Sequence, residues 1–212
     1  MSSLSPAVLL ALCLAGHALS AQGSPPARAH HAIVFDSRTQ RVLVSGGSTT
    51  PDGSRFLLFD DLWSWDGAEW RQLPATGPRR SSHRLAYDAL GARVLMFGGY
   101  DGQQSIGELR VLSDTTWSVS ARDSVPVRAE PGVAYDTKRR RLVVFGGSSA
   151  PRQVLGDTWE FDGTRWAQVA TTGPGPLQSM VMPARSAGRR WRPPSKAGQR
   201  HGPDGSASKT HG

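Results

Sequence analysis

The chain has 212 residues, 38% of them hydrophobic, with 24 Gly, 15 Pro, 7 Trp and a formal charge of +8. That length allows one domain or two small ones, and the apolar runs are too short and too few for a membrane-embedded protein. The basic excess sits at one end: residues 184–212 carry seven Arg or Lys against the single acid Asp204, so the nearly balanced body gives no ground for specific nucleic-acid binding.

Residues 1–21 read as a secretory signal peptide. An apolar stretch (PAVLLALCLA) is followed by Ala-Leu-Ser-Ala, small residues suited to cleavage before Gln22. The n-region has no Lys or Arg, and the apolar stretch is shorter than the roughly 20 residues a bilayer span needs. The only cysteine, Cys13, lies in this leader, so disulfides and thiol chemistry are excluded from the mature chain. Leu12 stands before it where a lipoprotein signal wants a small residue. The expected destination is the periplasm or the exterior, with no membrane span once the leader is removed. Residues 22–27 form a linker.

From there the chain repeats itself. HHAIVFDSRTQRVLVSGG ends at Gly47, HRLAYDALGARVLMFGG at Gly99 and PGVAYDTKRRRLVVFGG at Gly147. Each is followed by a loop and a second block: DLWSWDGAEW, ELRVLSDTTW and DTWEFDGTRW. Asp36, Asp88 and Asp136 recur at offsets of 52 and 48, and Trp70, Trp117 and Trp166 at 47 and 49. Landmarks in fixed order at this period mark a repeat architecture. Within the first unit, residues 30–35 alternate like a half-buried strand, and 41–45 form a second run rich in Val and Leu. Residues 62–65 and 70–73 are joined through Asp66-Gly67, a tight hairpin signal that recurs at Asp162-Gly163. No segment shows a sustained helical period. Four antiparallel strands in about 50 residues predict a propeller blade.

The glycine pairs Gly46-Gly47, Gly98-Gly99 and Gly146-Gly147 suit a strand end that needs positive φ and close approach of a neighbouring backbone. The tryptophans suit the faces between sheets, where one ring buries about 150–250 Å². The predicted blades cover 28–75, 76–123 and 124–171.

A hydrophobic strand ending in Gly-Gly, then an aromatic with Trp five residues later (Trp65/Trp70, Phe161/Trp166), resembles the Kelch repeat. Arg28 with His31, Arg80 with His83, and the block DTWEFDGTRW resemble the Kelch variety of exported bacterial proteins, over about residues 25–172. The resemblance implies an all-β fold, a partial β-propeller of three four-stranded antiparallel blades, and says little about chemistry. The second unit departs from the pattern with Arg110 in place of Trp63 and Trp159 and with Leu112 in the aromatic position. The third has Pro131 where a His is expected.

Closed propellers have four to eight blades. A fourth unit starts at Thr172-Gly173-Pro174, matching Thr76-Gly77-Pro78, but register is lost at once, so 172–183 is a broken start. Residues 184–212 are read as a disordered basic tail, because their composition buries too little to offset ordering entropy. Loss of register where the repeat should continue fits a truncated or frameshifted product. The other reading of the tail is a functional basic extension that touches an anionic surface, and self-association of two chains into one ring would cover the apolar faces left at the terminal blades.

Long loops follow each Gly-Gly pair on one face, the expected ligand surface. Asp52, Arg55, Tyr100, Asp101, Gln103 and Arg152 are its candidate contact residues. Arg28, Arg80 and Arg128 lie in register, and recurrence in every blade points to a structural task rather than a carboxylate grip. Neither His30-His31 nor any other spacing has metal-ligand form, so no metal or cofactor is expected. No nucleophile elbow or phosphate loop is present. The expected function is a non-enzymatic extracytoplasmic module that binds protein or carbohydrate. A sugar-modifying enzyme of mutarotase type is the alternative, since fold alone does not decide function.

Overall fold

The computed structural model describes residues 23–53, 55–121, 125, 127–149, 153–173 and 175. The expected leader (1–21), most of the expected broken fourth unit, the expected basic tail and Arg152 lie outside them. Sixteen strands and no helix occur among the described residues.

The first unit contains β1 (Ala32–Asp36), β2 (Arg41–Ser45), the short β3 (Ser48–Thr49) and β4 (Leu57–Leu58), then β5 (Leu62–Trp65) and β6 (Trp70–Leu73). Four of them form an antiparallel sheet in the order β1-β2-β5-β6, while β3 and β4 pair as a separate ribbon. The second unit is β7 (Arg84–Asp88), β8 (Arg93–Phe97), β9 (Leu109–Ser113) and β10 (Thr116–Ala121), one sheet in chain order. The third repeats the first: β11 (Gly132–Asp136), β12 (Arg141–Phe145), the ribbon strands β13 (Ser148–Ser149) and β14 (Gln153–Val154), then β15 (Thr158–Phe161) and β16 (Trp166–Ala170). The first strands β1, β7 and β11 adjoin one another, so they are the innermost strands and the blades fan outward from them.

Three of the four strands expected in the first unit have the predicted bounds. The first starts two residues late, because His30 adopts a left-handed φ of 55° that no strand accommodates. His30 and His31 therefore do not alternate across a sheet.

The core lies in two seams. Between blades 1 and 2, Ala32, Leu43 and Leu62 meet Leu85, Val94, Met96, Leu112 and Trp117. Between blades 2 and 3, Ala86, Leu95, Phe97, Leu109 and Val111 meet Val133, Leu142, Val144, Phe161 and Trp166. The Trp166 ring lies 5.2 Å from Phe97 across the seam and 5.1 Å from Phe161 in its own blade. No blade precedes blade 1 among the described residues, and Trp70 stacks on Trp65 at 5.4 Å. On that outer face Ile33 is 58% and Phe35 50% exposed.

The glycine pairs act where expected. Gly46 (φ 56°) and Gly47 (φ 100°) end β2, and a Cβ on Gly46 would come 2.5 Å from the Arg80 carbonyl of the next blade. Gly98 repeats this against the Arg128 carbonyl at 2.8 Å. The N–H groups of Gly47 and Gly99 donate to those same carbonyls at 2.8 and 2.9 Å.

Two truncations separate a closed seam from an open face. Phe97→Ala should cost about 3–5 kcal/mol, because the ring is fully buried in the blade 2–3 seam. Phe35→Ala should cost under about 1 kcal/mol. Urea midpoints at constant m-value measure both, and equal losses would show that the blade 1 face is covered.

Candidate functional site

At the loop end of each blade an arginine enters just before the first strand. In blade 1, Arg28 Nη1 donates to the Gly46 carbonyl at 2.9 Å and to Asp61 Oδ1 at 2.5 Å, and Nη2 donates to Oδ2 at 2.8 Å. The Trp63 indole N–H donates to the same Oδ2 at 2.7 Å. Blade 3 repeats the set with Arg128, Gly146, Asp157 and Trp159. Blade 2 lacks the tryptophan and solves the problem differently. Glu108 replaces the aspartate, and its Oε1 accepts from Arg80 Nη2 at 2.5 Å and from Arg110 Nε at 2.6 Å. Arg110 thus stands in for the indole N–H, and the longer carboxylate reaches the guanidinium that takes its place.

Burial pushes the Asp61 carboxyl up, but the hydrogen bonds from Arg28 and Trp63 more than reverse this and hold it below the ordinary carboxylate value. Glu108 and Asp157 behave likewise. All three arginine side chains are buried and donate to their own blade's acid. Their side chains are structural braces within a blade, while the backbone N–H and carbonyl groups of Arg80 and Arg128 bond across the seams to the preceding blade.

Two residues after each brace, His30, Ser82 and Glu130 all adopt left-handed φ near 55°. The Ser82 N–H donates to the His30 carbonyl and the Glu130 N–H to the Ser82 carbonyl, both at 2.8 Å. This chain of bonds runs from blade to blade around the inner edge. It places three polar side chains together, with His30 Nδ1 3.5 Å and Ser82 Oγ 3.4 Å from Glu130 Oε1. Sequence inspection missed this group, since its identity changes from blade to blade and only its spacing from the arginine recurs.

The long loops rise on the same side. Asp52 Oδ1 accepts the Arg55 N–H at 3.1 Å, and Asp101 Oδ1 accepts the N–H groups of Gln103 and Gln104 at 2.8 Å. Tyr100 bridges to Ser81 and Ser105. A Cβ on Gly102 would lie 3.4 Å from Leu58 Cδ1, so the turn holding Asp101 and Gln103 packs on the ribbon that follows Arg55. The two groups of candidates are neighbours, and both aspartates organise their own turns. Arg152 lies outside the described residues. Among the described residues, no three His, Cys, Asp or Glu side chains converge to hold a metal.

Residues 16–185 match the family described as the KLHDC2/KLHL20/DRC7 Kelch-repeats domain. The chain belongs to the Kelch-repeat family. It is 26% identical to human host cell factor 1 over 181 residues, 66% of this chain but 9% of that protein. Among solved structures it is similar to YjhT, with a TM-score of 0.61 and 13% identity, over 73% of this chain and 56% of that one. The Kelch chain thus spans only part of each of these relatives, and the likeness to YjhT speaks for the fold.

One Kelch position has an electrostatic consequence. His83 is fully buried against Gly46, and neither ring nitrogen has a partner among the described residues. Burial, and then the charges of Arg80, Arg84 and His31, lower its pKa to about 3. The unfolded chain binds a proton near pH 6.5 that the folded chain refuses. Stability is therefore complete above about pH 6.5 and falls by about 1.4 kcal/mol per pH unit below it. His31, lowered by burial and Arg28, adds in the same direction, whereas the braced carboxylates titrate at lower pH. Urea unfolding should show a loss of about 2 kcal/mol between pH 7 and pH 5, and His83→Leu should flatten most of it. An unchanged slope in that variant would show that His83 keeps a proton when folded.

Proposed function

We propose that this Kelch chain is a non-enzymatic binding module for protein, working outside the cytoplasm through the face that carries its long loops. The observation that carries the reading is the apolar surface on that face. Phe56 is 52% exposed and Leu57 38% on the blade 1 ribbon and its approach, Val154 is 39% exposed on the blade 3 ribbon, and Val127 is 48% exposed between blades 2 and 3. Exposed apolar groups rimmed by polar residues mark surfaces that meet other macromolecules. They are mostly aliphatic, which favours a protein partner over a sugar that stacks on aromatic rings. Arg55, Tyr100 and Gln103 supply the polar rim.

The experiment is a display screen of the full chain against a protein-fragment library and, in parallel, a glycan array. Protein clones should be enriched by the native chain and lost, by at least tenfold, with Phe56→Asp combined with Leu57→Asp. Enrichment on glycans alone would replace this reading with the carbohydrate one, and no binding together with non-cooperative unfolding would favour a product without independent function.

The apolar leader supports export, and the open faces of the terminal blades support self-association into a larger ring. If both hold, the chain recovered from outside a bacterial host begins at Gln22 by mass spectrometry and sediments at twice its sequence mass. A chain retained with its leader, or a monomer, removes the corresponding part.

A further inference from the structure

The braces and the aspartates that end the first strands recur in every blade, so a side chain that breaks the repeat at one seam is where a task specific to this chain is to be sought. The clearest case lies on the face opposite the long loops, between blades 2 and 3. A cavity of about 160 Å³ opens there, lined by Arg93, Leu95, Ser120, Tyr135, Arg140, Phe161, Asp162 and Gly163.

Its charge arises from two departures in sequence. In each blade an aspartate ends the first strand and needs a donor for Oδ2. In blade 1, Thr39 Oγ1 donates to Asp36 at 2.8 Å, and in blade 3, Arg139 Nε donates to Asp136 at 2.9 Å. Blade 2 has Gly91 at that position and so has no side chain to offer. Arg93 fills the gap, and its Nε donates to Asp88 Oδ2 at 2.9 Å. A Cβ on Gly91 would sit 2.8 Å from that Nε, so glycine also makes the room. The counterpart Arg41 turns instead to its own hairpin and lies 3.5 Å from Asp66. Blade 2 has Ser113 in place of that hairpin aspartate, so Arg93 has nothing to draw it there. It stays in the seam and lines the cavity.

Arg140 is the second departure. The left-handed turn position it occupies holds Gln40 in blade 1 and Ala92 in blade 2. Its guanidinium makes no hydrogen bond or ion pair among the described residues, and it lines the same cavity. The nearby acids are already committed. Asp88 accepts from the Leu90 and Gly91 N–H groups, from Arg93 and from the Tyr135 hydroxyl. Asp162 Oδ1 accepts from the Thr164 and Arg165 N–H groups. Leu95 and Phe161, both buried, make the floor apolar. The blade 1–2 seam has Ala92 and Leu112 where this one has Arg140 and Phe161, so the combination occurs once among the described seams.

We propose that the cavity between blades 2 and 3 is a binding site for a small carboxylate with a flat apolar body, gripped by Arg140 and the Nη groups of Arg93 with its body on Leu95 and Phe161. The planar fork of a guanidinium matches a carboxylate in two parallel hydrogen bonds, and two such forks over an apolar floor select charge and shape together. The site is independent of the loop face, so it stands or falls apart from the protein-binding reading.

Benzoate, with benzamide as its neutral isostere, tests this on the full chain by ligand-observed NMR and calorimetry. Saturable benzoate binding is expected with at least tenfold preference over benzamide. Arg140→Gln should weaken it at least fivefold, and Arg38→Gln, an exposed turn arginine of blade 1, should leave it unchanged. Arg140 is exposed, so its replacement leaves folding intact, which the urea midpoint verifies. Equal affinity for the two probes, absence of saturable binding, or equal effects of the two substitutions would overturn the assignment.

Discussion

The structure depends on one close approach. At the loop end of each described seam, the second glycine of a blade donates its N–H to an arginine carbonyl of the next, while the first leaves no room for a Cβ against that same carbonyl. Burial between sheets stacked face to face is non-directional and tolerates sliding, whereas this bond, together with the His30–Ser82–Glu130 chain at the inner edge, is directional. The backbone bond sets the phase between blades, and with it the meeting of Trp166 with Phe97 across the seam. Positive φ at both glycines makes the geometry inaccessible to other residues without strain.

The brace shows what the repeat preserves. Asp-Trp in blades 1 and 3 and Glu-Arg in blade 2 differ in every side chain, yet each offers one carboxylate to the entering arginine and one N–H donor to that carboxylate. The same holds for the aspartate that ends the first strand, served by Thr39, Arg93 or Arg139 according to which side chain is available. A buried acid needs its lone pairs satisfied, and any donor within reach suffices. Substitution in one place therefore moves a charge in another. Gly91 and Ser113 together leave Arg93 in the seam, which is how a structural repeat comes to hold a local group of positive charge.

Much of the fold was legible beforehand. The period near 50 residues, the Gly-Gly ends, and the strands at 41–45, 62–65 and 70–73 follow from alternation and turn residues, which act over a few positions. The start of β1 was not legible, because the left-handed φ at His30 comes from the blade-to-blade hydrogen-bond chain and not from its neighbours in sequence. Among the candidate contact residues, the sequence placed Asp52, Arg55, Tyr100, Asp101 and Gln103 in the long loops, where the carboxylates of Asp52 and Asp101 accept from the backbone of their own turns. The His30, Ser82 and Glu130 group and the seam cavity escaped notice, since each gathers residues from different blades.

By itself, then, the sequence determined the repeat, the strand-rich blades, the placement of glycine and tryptophan at their junctions, and family membership, all of which are encoded in local periodicity. Only the tertiary structure decided which donors reach which carboxylates, which arginines are buried braces and which stay available, and where a cavity opens. Those outcomes depend on how side chains some 50 residues apart compete for the same few ångströms, and no local pattern records that competition.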